Sequence, residues 1–337
     1  MRQRRLLLKR SNSVAYWSML AGSFFFALMG ILTESLSQQL SFLALATIRS
    51  AIATAVAAWW VWRAQVEWVV WRPADLWMRS LAGCASMLCL FYAITHYQVA
   101  VILSLTNMFP VWVGLLSWPL LGQFPKRETW IALAVSILGM SLIFQAARQE
   151  IASSPPSYPN ATESLGEPLV HPNQSHEPQA HWRPKSAVTA AIAAGFLSGV
   201  ALIGLHRVRN IDARMVVTHF SAVSTLIAGC LWLAMPGFRM LDNLSLQSWL
   251  RVLGVGLSAV IGQWFLTLAF SKASPARVSV VGLSQVVMTT LYAGWVQQRW
   301  PNAVGFLGMS LIVGATGWVL LKHRASSEED RPKATTS

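Results

Sequence analysis

LFYAITHYQVAVILSLTNMFPVWVGLLSWPLLGQFPKR, residues 90–127, reads as the end of one apolar helix and the whole of the next, with almost no loop between them. At an offset of 176 its first part, LFYAITHYQVAVILSLTNMFP (90–110), lies over LTLAFSKASPARVSVVGLSQV (266–286), placing Ala93 over Ala269 and Ala100 over Ala276. Both copies then leave through a Gln and a Pro, Gln123-Phe124-Pro125 in one and Gln298-Arg299-Trp300-Pro301 in the other. A pair of nearly fused apolar runs, occurring twice, sets the architecture.

Working outward, ten apolar runs of 18 to 23 residues appear: Val14–Leu32, Phe42–Trp62, Ser80–Tyr97, Val99–Leu121, Trp130–Ala147, Ala187–Leu205, Met215–Met235, Val252–Phe270, Val278–Val296 and Ala303–Leu321. About 20 apolar residues suffice to cross the hydrocarbon of a bilayer. Charged residues make up 12% of the 337, against about 25% in ordinary soluble domains, and Arg49 alone lies inside a run. These features exclude a soluble domain and predict insertion in the lipid bilayer. The basic start and first run read as an uncleaved first helix, too long and too close to a second span for a signal peptide.

A net charge of +13 would raise nucleic acid as a partner in a soluble protein. Here the charges sort by side. With the N-terminus inside, 19 Lys and Arg, Arg79 among them, fall on cytoplasmic segments and 6 on the other side. That asymmetry predicts two cytoplasmic termini, in a plasma (inner) membrane, and no nucleic-acid partner.

Residues 148–185 carry seven of the fifteen prolines and read as a disordered, non-cytoplasmic linker. His171, His176 and His181 recur there at a spacing of five, too few ligands on a proline-broken chain to hold a metal, and Asn160 and Asn173 begin glycosylation sequons. The linker splits the spans five and five. Because five is odd, the second half must run oppositely through the membrane. The chain therefore reads as an all-α membrane protein with ten transmembrane helices as two inverted five-helix repeats, residues 1–147 and 186–322, followed by a cytoplasmic tail, 323–337.

With LATIRSAIAT in span two, FYAITHYQVAVILSL across spans three and four, MFPVWVGLLSWPLLGQ, ALAVSILGMSLIF and GFLGMSLIVGATGWVLL in span ten, the chain resembles EamA-type members of the drug/metabolite transporter superfamily. The resemblance implies ten helices, a central cavity between the halves, peripheral fifth and tenth helices, and an Arg often found where Arg49 stands. It departs at Gln123 and Gln298, where the family often has Glu, and at Val286, near which it often has Pro.

Arg49 is the sharpest functional signal. It sits roughly 12 Å from one helix end, where insertion costs about 2.5–3.5 kcal/mol for Arg. No acidic residue lies inside any run, and Glu34 at the outer mouth is the nearest candidate. Arg49 either meets an anionic or carbonyl-bearing ligand or ties helix-end carbonyls together. The lack of an intramembrane carboxylate argues against proton-driven efflux of cations. His219 reads either as a proton relay or as a neutral histidine bonded to Ser or Thr. Gln285, Thr289 and Tyr292, with Gly282, form a polar stripe in span nine; Ser104 and Asn107 precede Pro110 in span four; and Gln263 and Thr267 lie in span eight. Such neutral groups suit a polar metabolite, with interhelical hydrogen bonding as the alternative. Arg49, Asn107, His219, Gln263, Gln285, Thr289 and Tyr292 are thus the candidate substrate-binding residues.

Gly195 and Gly199 mark close helix approach, and Trp59, Trp60, Trp62, Trp77 and Trp300 read as interface anchors. Catalytic carboxylate pairs, metal-ligand sets and phosphate loops are missing from the sequence, so no enzyme, cofactor or ATP-driven pump is expected. The sequence predicts a secondary transporter of a small polar or anionic metabolite working by alternating access, with a non-transporting scaffold or an integral-membrane enzyme as alternatives. A homodimer is left open.

Overall fold

The computed structural model describes residues 2–36, 39–96, 102, 105–153, 184–234, 244–297 and 300–328. Among them there is no strand; eleven helices account for the architecture. They are α1 (Arg2–Leu36), α2 (Phe42–Arg63), α3 (Ala74–His96), α4 (Phe109–Leu121), α5 (Arg127–Ser153), α6 (Pro184–Arg207), α7 (Ala213–Ala234), α8 (Leu246–Lys272), α9 (Pro275–Gly282), α10 (Ser284–Gln297) and α11 (Ala303–Glu328). α9 and α10 run on as one apolar segment, Pro275–Val296. Among the described residues eight segments, this one included, are long and apolar enough to cross a membrane; α3 and the 13-residue α4 stand beside them as further helices.

Local chemistry sets several ends. Ser41 caps α2 by accepting from the Ala44 N–H at 3.3 Å, and Ser245 caps α8 by accepting from the Ser248 N–H at 3.2 Å. Pro275 opens α9, where its missing N–H costs nothing. Gly122, at φ 65°, closes α4 in the left-handed conformation. α5 runs on to Ser153 and α11 to Glu328, past positions 148 and 323 where the linker and tail were expected to begin. Hydropathy marks hydrocarbon, whereas a helix continues as long as its backbone bonds are made. Ser104, the three linker histidines and both sequons lie outside the described residues.

The principal contacts pair α1 with α8 and α10, α2 with α7 and α8, α3 with α6 and α7, α4 with α6 and α9, and α5 with α11. Small residues permit the closest approaches. A Cβ on Gly199 would lie 2.8 Å from Trp112 Cβ, and one on Gly139 would lie 2.5 Å from the Gly308 carbonyl oxygen. Large apolar side chains such as Leu226, Leu233, Trp295 and Leu321 stay exposed, as a lipid-facing surface requires. The protein is an integral membrane protein.

Arg79 corrects the sequence expectation. The apolar run begins at Ser80, which put Arg79 among the cytoplasmic segments; the helix begins at Ala74, and Arg79 is 4% exposed inside the bundle. The helices therefore hold a second arginine, Arg79, buried where only the half-buried Arg49 was expected.

Candidate functional site

Two guanidinium groups and the residues around them form the polar heart of the bundle. Arg49, seven residues into α2, points between α1 and α3, where Nη1 reaches Met29 Sδ at 3.2 Å and Nη2 reaches Met87 Sδ at 3.4 Å. Thioethers are weak acceptors, so this cation is poorly compensated. Part of its surface stays accessible although it is aimed into the protein.

Arg79 lies in the opposite part of α3 from its C-terminus. Its Nη2 donates to Gln263 Oε1 of α8 at 2.9 Å, and its guanidinium sits 4.2 Å from the centroid of the Phe220 ring of α7. Its buried Nε has no hydrogen-bond partner. The side chain bends along its own helix, and Gly83 makes that bend possible. A Cβ there would strike Arg79 Nη1 and lie 2.8 Å from Phe220. On the far side, a Cβ on Gly204 of α6 would lie 3.2 Å from the Arg79 backbone nitrogen.

His219 neighbours this cluster. Its Nδ1 lies 2.8 Å from Ser80 Oγ, and the Trp77 ring packs edge-on at 4.8 Å between centroids. Of the two readings from sequence, the histidine bonded to a hydroxyl is the arrangement observed. Trp77, expected as an interface anchor, is half-buried and packs against that imidazole. Among the described residues, neither Arg49 nor Arg79 has a carboxylate partner; Asp75 pairs with Arg207 at 2.9 Å and Asp212 with Arg214 at 4.0 Å.

The other candidates gather elsewhere. Asn107 sits, half-buried, in the turn that precedes α4. Thr289 donates to the carbonyl oxygen of Gln285 at 2.9 Å, a bond within its own helix, and the half-buried Tyr292 ring packs 5.5 Å from Phe24 of α1. Arg79, Gln263 and His219 thus share one cluster with Phe220 and Ser80. Gln285, Thr289 and Tyr292 stand on α10, with Tyr292 against Phe24 of α1. The sequence signal for Arg79 was a charge at the border of an apolar run, four residues before a glycine.

Spans four and nine are both interrupted. Before α4, the Met108 N–H donates to Leu105 O at 3.2 Å and the Val111 N–H to Met108 O at 3.0 Å. Between α9 and α10, the Leu283 N–H donates to Val280 O at 3.1 Å and the Val286 N–H to Leu283 O at 3.0 Å. These tightened turns are the same bonds, each residue number being 175 higher in the second set. Met19 of α1 lies against the second break, where a Cβ on Gly282 would be 2.6 Å from its methyl carbon.

A separate concavity of about 250 Å³ opens at the ends of α4, α6 and α8, lined by Gln123, His206, Arg209 and Ser271–Ser274. His206 Nδ1 lies 2.7 Å from the Phe270 carbonyl oxygen there, which holds the imidazole against α8.

Known proteins resemble this chain in sequence and fold. The chain is 28% identical over 301 residues to the pseudopaline exporter CntI of Pseudomonas aeruginosa, covering 87% of this chain and 91% of that protein. It is 24% identical over 265 residues to the probable transport protein YPL264C of Saccharomyces cerevisiae, covering 77% and 72%. One solved structure superposes with a TM-score of 0.74 at 17% identity, covering 94% of this chain and 99% of that one, a likeness that speaks for the fold alone. The EamA-like transporter family matches twice, at residues 13–145 and 185–321. The chain belongs to the EamA-like transporter family, within the drug/metabolite transporter superfamily.

Proposed function

We propose that this protein is a secondary carrier that moves a small polar or anionic metabolite by alternating access between two inverted five-helix halves. The observation that carries the reading is the pair of interrupted spans, with the same tightened turns 175 residues apart. Interrupted helices at corresponding positions of two halves are a recurring mark of a transporter site, because free backbone polar groups survive in a bilayer only where they are buried in protein or line a cavity.

The helix contacts support the inversion. Exchange α1 with α6, α2 with α7, α3 with α8, α4 with α9–α10, and α5 with α11. The α1–α8 contact then becomes α6–α3, α1–α10 becomes α6–α4, and α2–α8 becomes α7–α3, while α2–α7 and α5–α11 map onto themselves. Two family matches separated by residues 146–184 fit the same division. The relatives' names, a transport protein and an exporter, favour a carrier over an enzyme.

In this reading the N-terminus and C-terminus are cytoplasmic, and Arg49 contacts substrate. The test is a thermal-stability screen of purified protein in detergent against amino acids, nucleotides, sugar phosphates and organic cations. Compounds that stabilise wild type but not a folded Arg49→Ala variant are then followed for uptake into proteoliposomes. Stabilisation and uptake of the same compound support the reading. A stable protein that binds none of them and carries none would sink it.

A further inference from the structure

We propose that Arg79 of α3 and Arg49 of α2, which meets α3 at Met87, present their guanidinium groups to a single substrate, and that this substrate carries two acid groups on separate centres. The inference rests on the carrier reading above and names its substrate class.

The geometry begins with α3. Arg79 Nη1 lies against Gly83, and Arg49 Nη2 touches Met87. Gly83 and Met87 are four residues apart, about 6 Å along a helix. Two cations therefore reach consecutive turns of one helix, one arriving from α2 and one from α3 itself. Among the described residues no carboxylate offsets either of them.

Their present partners are neutral: two thioethers for Arg49, one amide and one aromatic face for Arg79. Neutral partners hold a guanidinium in place without cancelling its charge. Gln263 Oε1 occupies the position that a carboxylate oxygen would take, and the Arg79 Nε–H is a donor with no acceptor. An incoming diacid would exchange the Gln263 amide for one carboxylate at Arg79 and the thioethers for another at Arg49. A monoacid would satisfy one cation and leave the other bare. The spacing favours acid groups on separate carbons over the single centre of inorganic phosphate.

The experiment uses the full-length protein in detergent and in proteoliposomes. Thermal stabilisation and uptake are measured for a series of linear dicarboxylates, their monomethyl esters and inorganic phosphate, on wild type, Arg79→Gln and Gln263→Glu. Glu at 263 supplies from inside the protein the counter-ion that Arg79 lacks. Wild type is expected to bind one member of the series at least about tenfold more tightly than its monoester, the scale of one charge-assisted hydrogen bond. Both variants are expected to bind diacid and monoester alike. If Arg79→Gln does not fold, Gln263→Glu decides alone, since it keeps Arg79 and its contact.

A folded variant that retains the full diacid preference overturns the inference and leaves Arg79 a structural tie. So does a wild type that prefers phosphate, or that carries another solute without preferring the diacid; in those cases the carrier reading stands. A wild type that carries no solute at all overturns the carrier reading itself.

Discussion

Arg79 Nη2 and Gln263 Oε1 meet at 2.9 Å across the interior, joining α3 to α8 through residues 184 positions apart. Among the described residues one amide is the sole side-chain acceptor for a cation that is 4% exposed. Gln263→Leu removes it and is expected to cost about 1.5–3 kcal/mol, the worth of a hydrogen bond to a charged group. Gln263→Glu should raise the unfolding temperature above wild type. Thermal unfolding of the two purified variants in one detergent checks both signs.

Gly83 supports the same cluster by having no side chain. Gly83→Ala is expected to cost about 1–3 kcal/mol, because its Cβ falls 2.8 Å from the Phe220 ring and against Arg79 Nη1. In a Phe220→Leu background the cost should shrink. A double-mutant cycle on thermal stability reads the difference, and equal costs in both backgrounds would refute the clash.

The α5–α11 crossing at Gly139 and Gly308 is a backbone-to-backbone contact with no flexible side chain to yield. Gly308→Val should force the helices apart and destabilise the protein by about 1–3 kcal/mol. Substrate affinity should change less than twofold, since the crossing lies away from both arginines. A variant that is as stable as wild type but binds substrate poorly would contradict this division.

Asp75 and Arg207 form an ion pair at 2.9 Å with side chains 34% and 39% exposed, clasping the start of α3 to the end of α6. At that exposure the coupling is expected to be only about 0.2–1 kcal/mol and to fade with added salt. Measuring the Asp75→Asn, Arg207→Gln cycle at two ionic strengths tests it.

Much of the fold is legible in the residues. Apolar runs locate the spans, Pro110 announces the interruption before α4, and the Gly195–Gly199 pair marks the approach of α6 to Trp112. Helix ends are not legible, because α5 and α11 continue past the hydrocarbon where polar residues are no obstacle. The break at Leu283 carries no proline and shows only through its likeness to the first. Arg79 was missed for a different reason. Its burial is decided by Phe220 and Gln263, which no window around residue 79 contains. The stripe on α10 shows the reverse difficulty: periodicity aligned Gln285 and Thr289, but the Thr289 hydroxyl serves its own helix.

The separation of Arg79 from its partner has a consequence in time. A ribosome adding about 5–20 residues per second needs roughly 10–40 s to travel from position 79 to position 263. During that interval α3 exists without the amide that later receives its arginine. The side chain lies close to the start of the helix, so it can reach back to the headgroups while it waits. Arg49 waits far less, because Met29 precedes it and Met87 follows within seconds. The arrival of α8 is therefore a distinct stage of maturation, one that draws an arginine off the membrane surface and seals it inside.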